Sequence, residues 1–449
     1  MSRLLYSCLA AILLILPLSS YAIDVYGTSI PGLEADLAGV YVENLATGEV
    51  LLDVNGEIPM LPASVTKLVT SATALSALGP DWTFSTPVYA EGKIHDGVLK
   101  GNIVIMASGD PTVESPNFKE YNGLPDSIAV ACAALGISAI DGSVIVDHGS
   151  YIETPVPAGW TDDDIVWPYG AGLFAMNFKG NRVALTMPGA GISPETPGAK
   201  VKTNGPRKGD RFSRARGSKV INTYLPRRFK GATALSNPDP ESSFVKAVSN
   251  ALTDAGITVG TSPAKRHKKH RTLLVDHQSP PLADILTSLM MRSDNLMAEG
   301  VLRALAPEKS IDEALEAELK FWQNNGVDTC SLRINDGSGL SRLNRISPYA
   351  LADVLVWMLD HSDNFLTYLD MFPVAGVSGT FRSFGRDTSL EGRLRCKTGS
   401  VNGTQTYAGY VVNDAGIPTH VVVVMVNGFK GSRAAVRQTV RDLLLEVIG

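Results

Sequence analysis

Pro62-Ala63-Ser64-Val65-Thr66-Lys67 opens a run that continues to Leu78 and stops at Gly79-Pro80. Gly-Pro is a helix stop, so the run predicts a helix from Ser64 to Leu78. Apart from Lys67 the run carries no charge. A helix with no charged face is a buried one, and its single lysine must be compensated inside the core. Ser64 and Lys67 are three residues apart and share one helical face. Burial, the lysine and the helix N-terminal dipole together give Ser64 the setting of an activated nucleophile.

Working outward, residues 37–54 read as a β-hairpin, Ala38-Gly39-Val40-Tyr41-Val42 and Glu49-Val50-Leu51-Leu52, joined around Ala46-Thr47-Gly48. From residue 86 the texture changes to short strands at 88–90, 103–106 and 143–146, and residues 160–236 are strand-like and loop-like. Lys200 to Lys230 is strongly basic, helical periodicity returns in Glu241 to Ala255, and the basic and histidine run Lys265 to Arg271 marks a junction. Residues 281–305 read as one long apolar helix holding Ser293. Ala408–Val412 and Thr419–Val426 read as two adjacent buried strands. Arg433 to Ile448 closes the chain as a helix whose Leu443-Leu444-Leu445 packs on the core. The pattern predicts an α/β fold. Residues 23–85 and 270–449 form one discontinuous domain, and 86–269 form a large, mostly-β insertion of two nested subdomains.

The chain has 449 residues, 44% of them hydrophobic and 19% charged, with a formal net charge of -5. That composition fits a soluble globular protein and argues against a nucleic-acid binder. Arg3, the apolar run Leu4 to Leu18 and Ser20-Tyr21-Ala22 read as a signal peptide spanning residues 1–22. The run falls short of the about 20 residues a membrane span needs, so no integral membrane segment is expected after cleavage. Cys132, Cys330 and Cys396 then remain, an odd set that allows at most one disulfide. Cys396 points to the opposite strand face from Lys397 and reads as buried filler.

Three short motifs carry chemistry: Ser64-Val65-Thr66-Lys67, Ser293-Asp294-Asn295 and Lys397-Thr398-Gly399. The third occurs once, while the others have rival copies. Ser262-Pro263-Ala264-Lys265 lies at the charged junction. Ser243-Phe244-Val245-Lys246 sits on a helix with Glu241 and Asp254, which reads as a surface helix. Ser362-Asp363-Asn364 lies beside His361 in a polar break and reads as a helix cap. Ser293 lies in an apolar stretch, where three successive polar residues demand partners. No Gly-x-Ser-x-Gly elbow or glycine-rich phosphate loop occurs. His267 and His270 lie in a solvated lysine-rich segment and read as no metal site, so neither metal nor cofactor is expected.

In this order the motifs are the signature of serine β-lactamases and penicillin-binding proteins. With Ser108-Gly109-Asp110-Pro111-Thr112, Asp336-Gly337-Ser338-Gly339-Leu340-Ser341-Arg342 and the segment Pro373 to Thr380, the chain from Tyr41 onward resembles the class C low-molecular-mass penicillin-binding proteins. These are the D-alanyl-D-alanine carboxypeptidase/endopeptidases of family S13. The long span from Ser64 to Ser293 matches that group's inserted domains. The resemblance implies a β-lactamase/DD-peptidase-like domain, an antiparallel sheet flanked by helices. It implies that Ser64 forms an acyl-enzyme, Lys67 is the general base, and Ser293 and Asn295 relay protons and hold the substrate amide. Lys397 sustains a positive field, Thr398 and its neighbour Gly399 meet the terminal carboxylate, and the backbone amides of Ser64 and Ser400 form the oxyanion hole. Arg342 is expected to meet the carboxylate of the stem-peptide diamino acid and Asp147 its ammonium, with Asn402 where some relatives carry glutamine. The implied partners are peptidoglycan stem peptides and β-lactams as covalent inhibitors, in an exported, periplasmic setting. A lysine buried without a carboxylate partner and near another lysine has a depressed pKa, so Lys67 is expected to be neutral in the free enzyme. Two alternatives stand beside this reading. One is a serine β-lactamase, although no Glu-x-x-Leu-Asn is present; the other is a penicillin-binding scaffold or sensor without hydrolysis.

Overall fold

Every residue from Val421 to Val426 is fully buried, and the strand holding them, Pro418–Asn427, is the middle of a sheet. In this computed structural model, which describes residues 38–449 except 150, 153, 208, 210, 227–228 and 307–309, that sheet has five antiparallel strands. Their order is Leu394–Val401, Thr404–Val412, Pro418–Asn427, Ala38–Asn44 and Val50–Val54. Val421, Val423 and Met425 enter a core shared with helices, while Val422, Val424 and Val426 enter one shared with Arg433–Ile448. A strand covered on both faces has no polar side, which is why it reads as an unbroken valine run. Leu443 and Leu444 lie in the second core, as expected of a packing helix. The signal peptide expected at 1–22 lies outside the described residues.

The Thr66–Leu78 helix follows a short 3-10 turn, Ala63–Val65, and is buried continuously from Thr66 to Leu75. It is packed by Leu282–Arg292, Asn295–Ala304, Ile311–Asn324 and Pro348–His361. The single helix expected over 281–305 is two. Leu282–Arg292 ends at Ser293, whose φ of 57° is left-handed, and Asp294 caps Asn295–Ala304 by accepting from the Met297 amide. Aspartate is a strong N-cap and a poor interior residue, so the break falls at the motif.

A second sheet pairs Ser85–His95 with Val98–Met106 and Arg271–Gln278, and extends through Val144–Asp147, Ala139–Ile140 and Thr258–Val259. Ser85 lies opposite Gln278, so the chain leaves the first sheet's region and returns side by side. Helices Leu124–Ala134 and Pro240–Asp254 pack on this sheet. The strand-rich reading of this region did not include the first of them, although Pro125 and Asp126 in its opening turn are start signals. Two three-stranded sheets between residues 182 and 236 share a small core of their own.

Part of the basic stretch 200–230 is engaged internally. Arg214 is buried and donates to the Ile165 carbonyl at 2.8 Å and Ser236 Oγ at 2.7 Å, and Lys219 pairs with Asp239. Ser243 is buried beside Thr196 and Asn237 on the inner face of its helix, whose Asn250, Thr253 and Asp254 are exposed. Cys132 and Cys396 are buried free thiols and Cys330 is an exposed one. No helix among the described residues is long and apolar enough to cross a membrane.

Candidate active site

Two non-glycine residues in the left-handed region bracket the site: Ala63, with φ 49°, just before Ser64, and Ser293, with φ 57°. Such residues cost conformational energy and persist where surrounding structure fixes them. Gly339 and Gly399 explain how close the fixing is. A Cβ on Gly339, which has φ 79°, would run into the Ala63 carbonyl, and one on Gly399 would lie 2.9 Å from the Ser64 nitrogen. Both positions therefore require glycine if the turn at Ser64 is to keep its neighbours.

Lys67 is wholly buried. Its Nζ lies 2.6 Å from Asn295 Oδ1, 2.6 Å from the Ser338 carbonyl and 3.1 Å from Ser64 Oγ. Burial pulls its pKa down from 10.5 to about 8, against the opposing carboxylates of Asp336, Glu299 and Asp294. The direct partners are neutral, but this lysine does have carboxylates nearby, which the expectation of an unaccompanied lysine did not include. A neutral amine has two hydrogens and one lone pair. Asn295 and Ser338 take the hydrogens, which leaves the lone pair for the Ser64 hydroxyl.

Lys397 is also wholly buried. Its Nζ donates to Ser293 Oγ at 2.8 Å and to the Thr398 carbonyl at 2.7 Å. Burial, and then Lys67, hold its pKa well below the ordinary lysine value. Thr398 shares a 2.8 Å hydrogen bond with Thr380 on the neighbouring loop. Ser64, Ser293, Asn295, Arg342, Thr398, Ser400 and Asn402 all line one cavity of about 570 Å³. The structure thus gathers every expected cleft residue except Asp147 around one space, with Lys67, Lys397 and Gly399 immediately behind it.

Behind Lys67 stands a buried loop, 336–341, organised by two carboxylates. Asp336 accepts from the amides of Gly339 and Ser341, from Asn344 and from the Trp160 indole. Glu299 accepts from the amides of Gly337, at 3.3 Å, and Ser338, at 2.9 Å. Because Ser338 also supplies the carbonyl that receives Lys67, Glu299 positions the lysine's partner. Burial, then Asp336, push the Glu299 carboxyl up to about 8. Glu299 lies one helical turn beyond Asn295, a spacing that could have marked it in the sequence.

Asp147 does not join this cleft. It ends the Val144–Asp147 strand, accepts from Arg266 at 2.7 Å with Arg271 3.6 Å away, and lines a separate cavity of about 300 Å³ with Trp82 and Tyr151. The Arg266 hydrogen bond holds its carboxyl below the ordinary range. An acid already committed to two guanidinium groups is a poor receptor for a ligand ammonium. The acid that does line the cleft is Asp164, 8% exposed, with Thr161 Oγ1 donating at 2.6 Å and the Tyr169 hydroxyl at 3.1 Å. Burial, then Asp164, push the Tyr169 phenol up to about 12. The Tyr169 carbonyl accepts from Asn295 Nδ2 at 2.8 Å, so this loop is bonded to the second motif. Asp164 belongs to none of the sequence motifs; an acidic triplet, Asp162-Asp163-Asp164, flanked by Trp160 and Tyr169 was the available signal.

Residues 20–446 match the model of the D-Ala-D-Ala carboxypeptidase 3 (S13) family. The chain is 26% identical to the D-alanyl-D-alanine carboxypeptidase DacB of Haemophilus influenzae, over 92% of this chain and 91% of that protein. It is 29% identical to a D-alanyl-D-alanine carboxypeptidase of Actinomadura sp., over 93% of this chain and 83% of the relative. The fold is similar to the crystal structure of penicillin binding protein 4 (dacB) from Haemophilus influenzae. The TM-score is 0.80 at 24% identity, covering 96% of this chain and 99% of that one.

Proposed function

This chain belongs to the D-Ala-D-Ala carboxypeptidase 3 (S13) family, and from that premise we propose that it is an exported serine peptidase acting through Ser64 on D-Ala-D-Ala termini and D-Ala-diaminopimelate crosslinks of peptidoglycan. One observation carries the reading: Lys67 Nζ stands between Ser64 Oγ and Asn295 Oδ1 while Lys397 holds Ser293 across the same cleft. In this reading residues 23–85 and 270–449 form the penicillin-binding domain and 86–269 the insertion. Residues 1–22 direct the chain to the periplasm.

The Ser64 hydroxyl gives its proton to neutral Lys67 as Oγ bonds to the carbonyl carbon. The developing oxyanion is met by the Ser64 and Ser400 amides. The proton passes by way of Ser293 to the leaving amine, and the C–N bond breaks to leave the acyl-enzyme. Water then reverses the path and frees Ser64. Thr398, with Thr380, takes the terminal carboxylate, and Lys397 keeps the field there positive. Burial lowers the Lys67 pKa to about 8, so the neutral base gains population, and acylation rises, as pH climbs toward that value.

Asp164 and Arg342 line the cleft together, a carboxylate and a guanidinium suited to the ammonium and carboxylate of a diamino acid's free centre. We assign the ammonium to Asp164 in place of Asp147, and leave Asn402 at the rim as a contact to the same residue. A β-lactam would acylate Ser64 by the same attack. The test is incubation of wild type and Ser64→Ala with pentapeptide monomers and with crosslinked muropeptides, read by mass. Wild type should release D-alanine and split the crosslink, and Ser64→Ala should do neither. Intact substrates with wild type would end the peptidase reading.

A further inference from the structure

The helix Arg433–Ile448 carries its charges against its own dipole. Arg433 and Arg437 lie in the first turns and Asp442 and Glu446 toward the end, the reverse of the arrangement that stabilises a helix. Arg433, Arg437 and Arg441 recur every fourth residue and so share one face. With Arg386 from the facing loop they wall a groove of about 520 Å³ that also takes in Ser383 and Phe384. Arg441 pairs with its neighbour Asp442 at 2.7 Å. Among the described residues no carboxylate forms an ion pair with Arg386, Arg433 or Arg437; their guanidinium groups bond to carbonyls, to Ser383 and to Gln405. Arg386, Arg433 and Arg437 are thus like charges without a carboxylate partner, and the two on the helix oppose its dipole; such a break with a local rule marks function.

The groove is not isolated. Arg433 and Arg437 also line the catalytic cavity, so the two spaces adjoin. Arg437 donates to Ser383, three residues beyond Thr380, whose hydroxyl is bonded to Thr398. The groove therefore adjoins the side of the cleft assigned to the leaving group's carboxylate.

We propose that this arginine groove is a subsite for the anionic leaving strand of a crosslinked peptide. The inference rests on the peptidase reading above. Cleavage of a D-Ala-D-Ala end expels one alanine, whose single carboxylate the Thr380–Thr398 pair accommodates. Cleavage of a crosslink expels a second stem peptide with further carboxylates, which need positive charge beyond that pair. Guanidinium groups suit carboxylates because each offers paired donors in one plane.

The test uses the Arg386→Ser/Arg441→Ser double variant, since neither residue lines the catalytic cavity. The readout is kcat/KM on a crosslinked dimer and on a monomeric pentapeptide at low and high salt, with retention of inorganic polyphosphate as a third arm. We expect an about tenfold loss on the dimer, as suits two exposed charge contacts, and a pentapeptide rate within about twofold. The dimer deficit should shrink at high salt, because exposed charges are screened. Equal rates on the dimer, or equal losses on both substrates, would overturn the subsite. Loss of polyphosphate retention with intact dimer cleavage would overturn it in favour of an anionic polymer. If wild type cleaves pentapeptide but no dimer, the endopeptidase reading fails and this inference falls with it.

Discussion

One wall of the cleft holds two fully buried lysines, Lys67 and Lys397, each within 3.1 Å of a motif serine and each fixed on a helix or a strand. The facing wall, residues 160–170, presents one carboxylate to the cleft, Asp164, on a loop tied down by Trp160 and Tyr169. The lysine wall suits bond making, because burial lowers lysine pKa values and the rigid elements keep the serines in range. The loop wall suits choice of substrate, because it presents charge without touching Ser64. Activity and selectivity should therefore separate by mutation.

The largest effect should come from the lysine wall. Lys67→Ala should slow acylation by penicillin and by peptide alike, by about a thousandfold or more, measured with a fluorescent penicillin under single-turnover conditions. A wild-type rate would remove Lys67 from the base role. Next is the loop wall. Asp164→Asn should cost about tenfold or more in kcat/KM on peptides with a free diamino centre, a charge-assisted contact, and should leave acylation by a penicillin lacking an ammonium unchanged. Asp147→Asn should do the opposite, lowering Tm through its arginine pair while leaving the peptide preference intact. Exchanged outcomes would restore Asp147 as the ammonium's partner.

Glu299→Gln sharpens the comparison from behind the lysine. It removes a carboxyl that raises the Lys67 pKa, so the acidic limb of the acylation profile should move to lower pH. The shift belongs to the coupled pair of Lys67 and Glu299. An unmoved limb with lowered stability would reduce Glu299 to a structural brace. The smallest effect concerns Glu318, wholly buried on Ile311–Asn324, whose carboxyl burial raises from 4.5 to about 8. A folded-state pKa above the unfolded value contributes stability that is complete below the unfolded value and lost as pH rises through the folded one. Tm should therefore fall between pH 4.5 and about 8, and Glu318→Gln should flatten that fall by a few degrees, about 2–4 °C at most.

The lysine wall was legible in the sequence because its determinants are local. Ser64 and Lys67 share a helical face, the uncharged run to Leu78 announces burial, and the valine run before Asn427 announces a strand covered twice. The break at Ser293 was less legible, since an apolar periodicity runs straight through it and only the capping role of Asp294 signals the turn. The loop wall was nearly silent. Asp164 has local partners in Thr161 and Tyr169, but its place in the cleft is set by ties distant in sequence, Trp160 to Asp336 and the Tyr169 carbonyl to Asn295, whereas Asp147 came from the family resemblance, at the end of a predictable strand. Contacts made across the insertion leave little trace in local pattern.

The central claim is that Ser64 is the nucleophile of the lysine wall. Mapping the covalent adduct after brief exposure to a penicillin, by peptide mass, tests it most directly. The account predicts a single adduct on the peptide containing Ser64, absent from Ser64→Ala. An adduct at Ser243 or Ser293, or one that survives in Ser64→Ala, would contradict it.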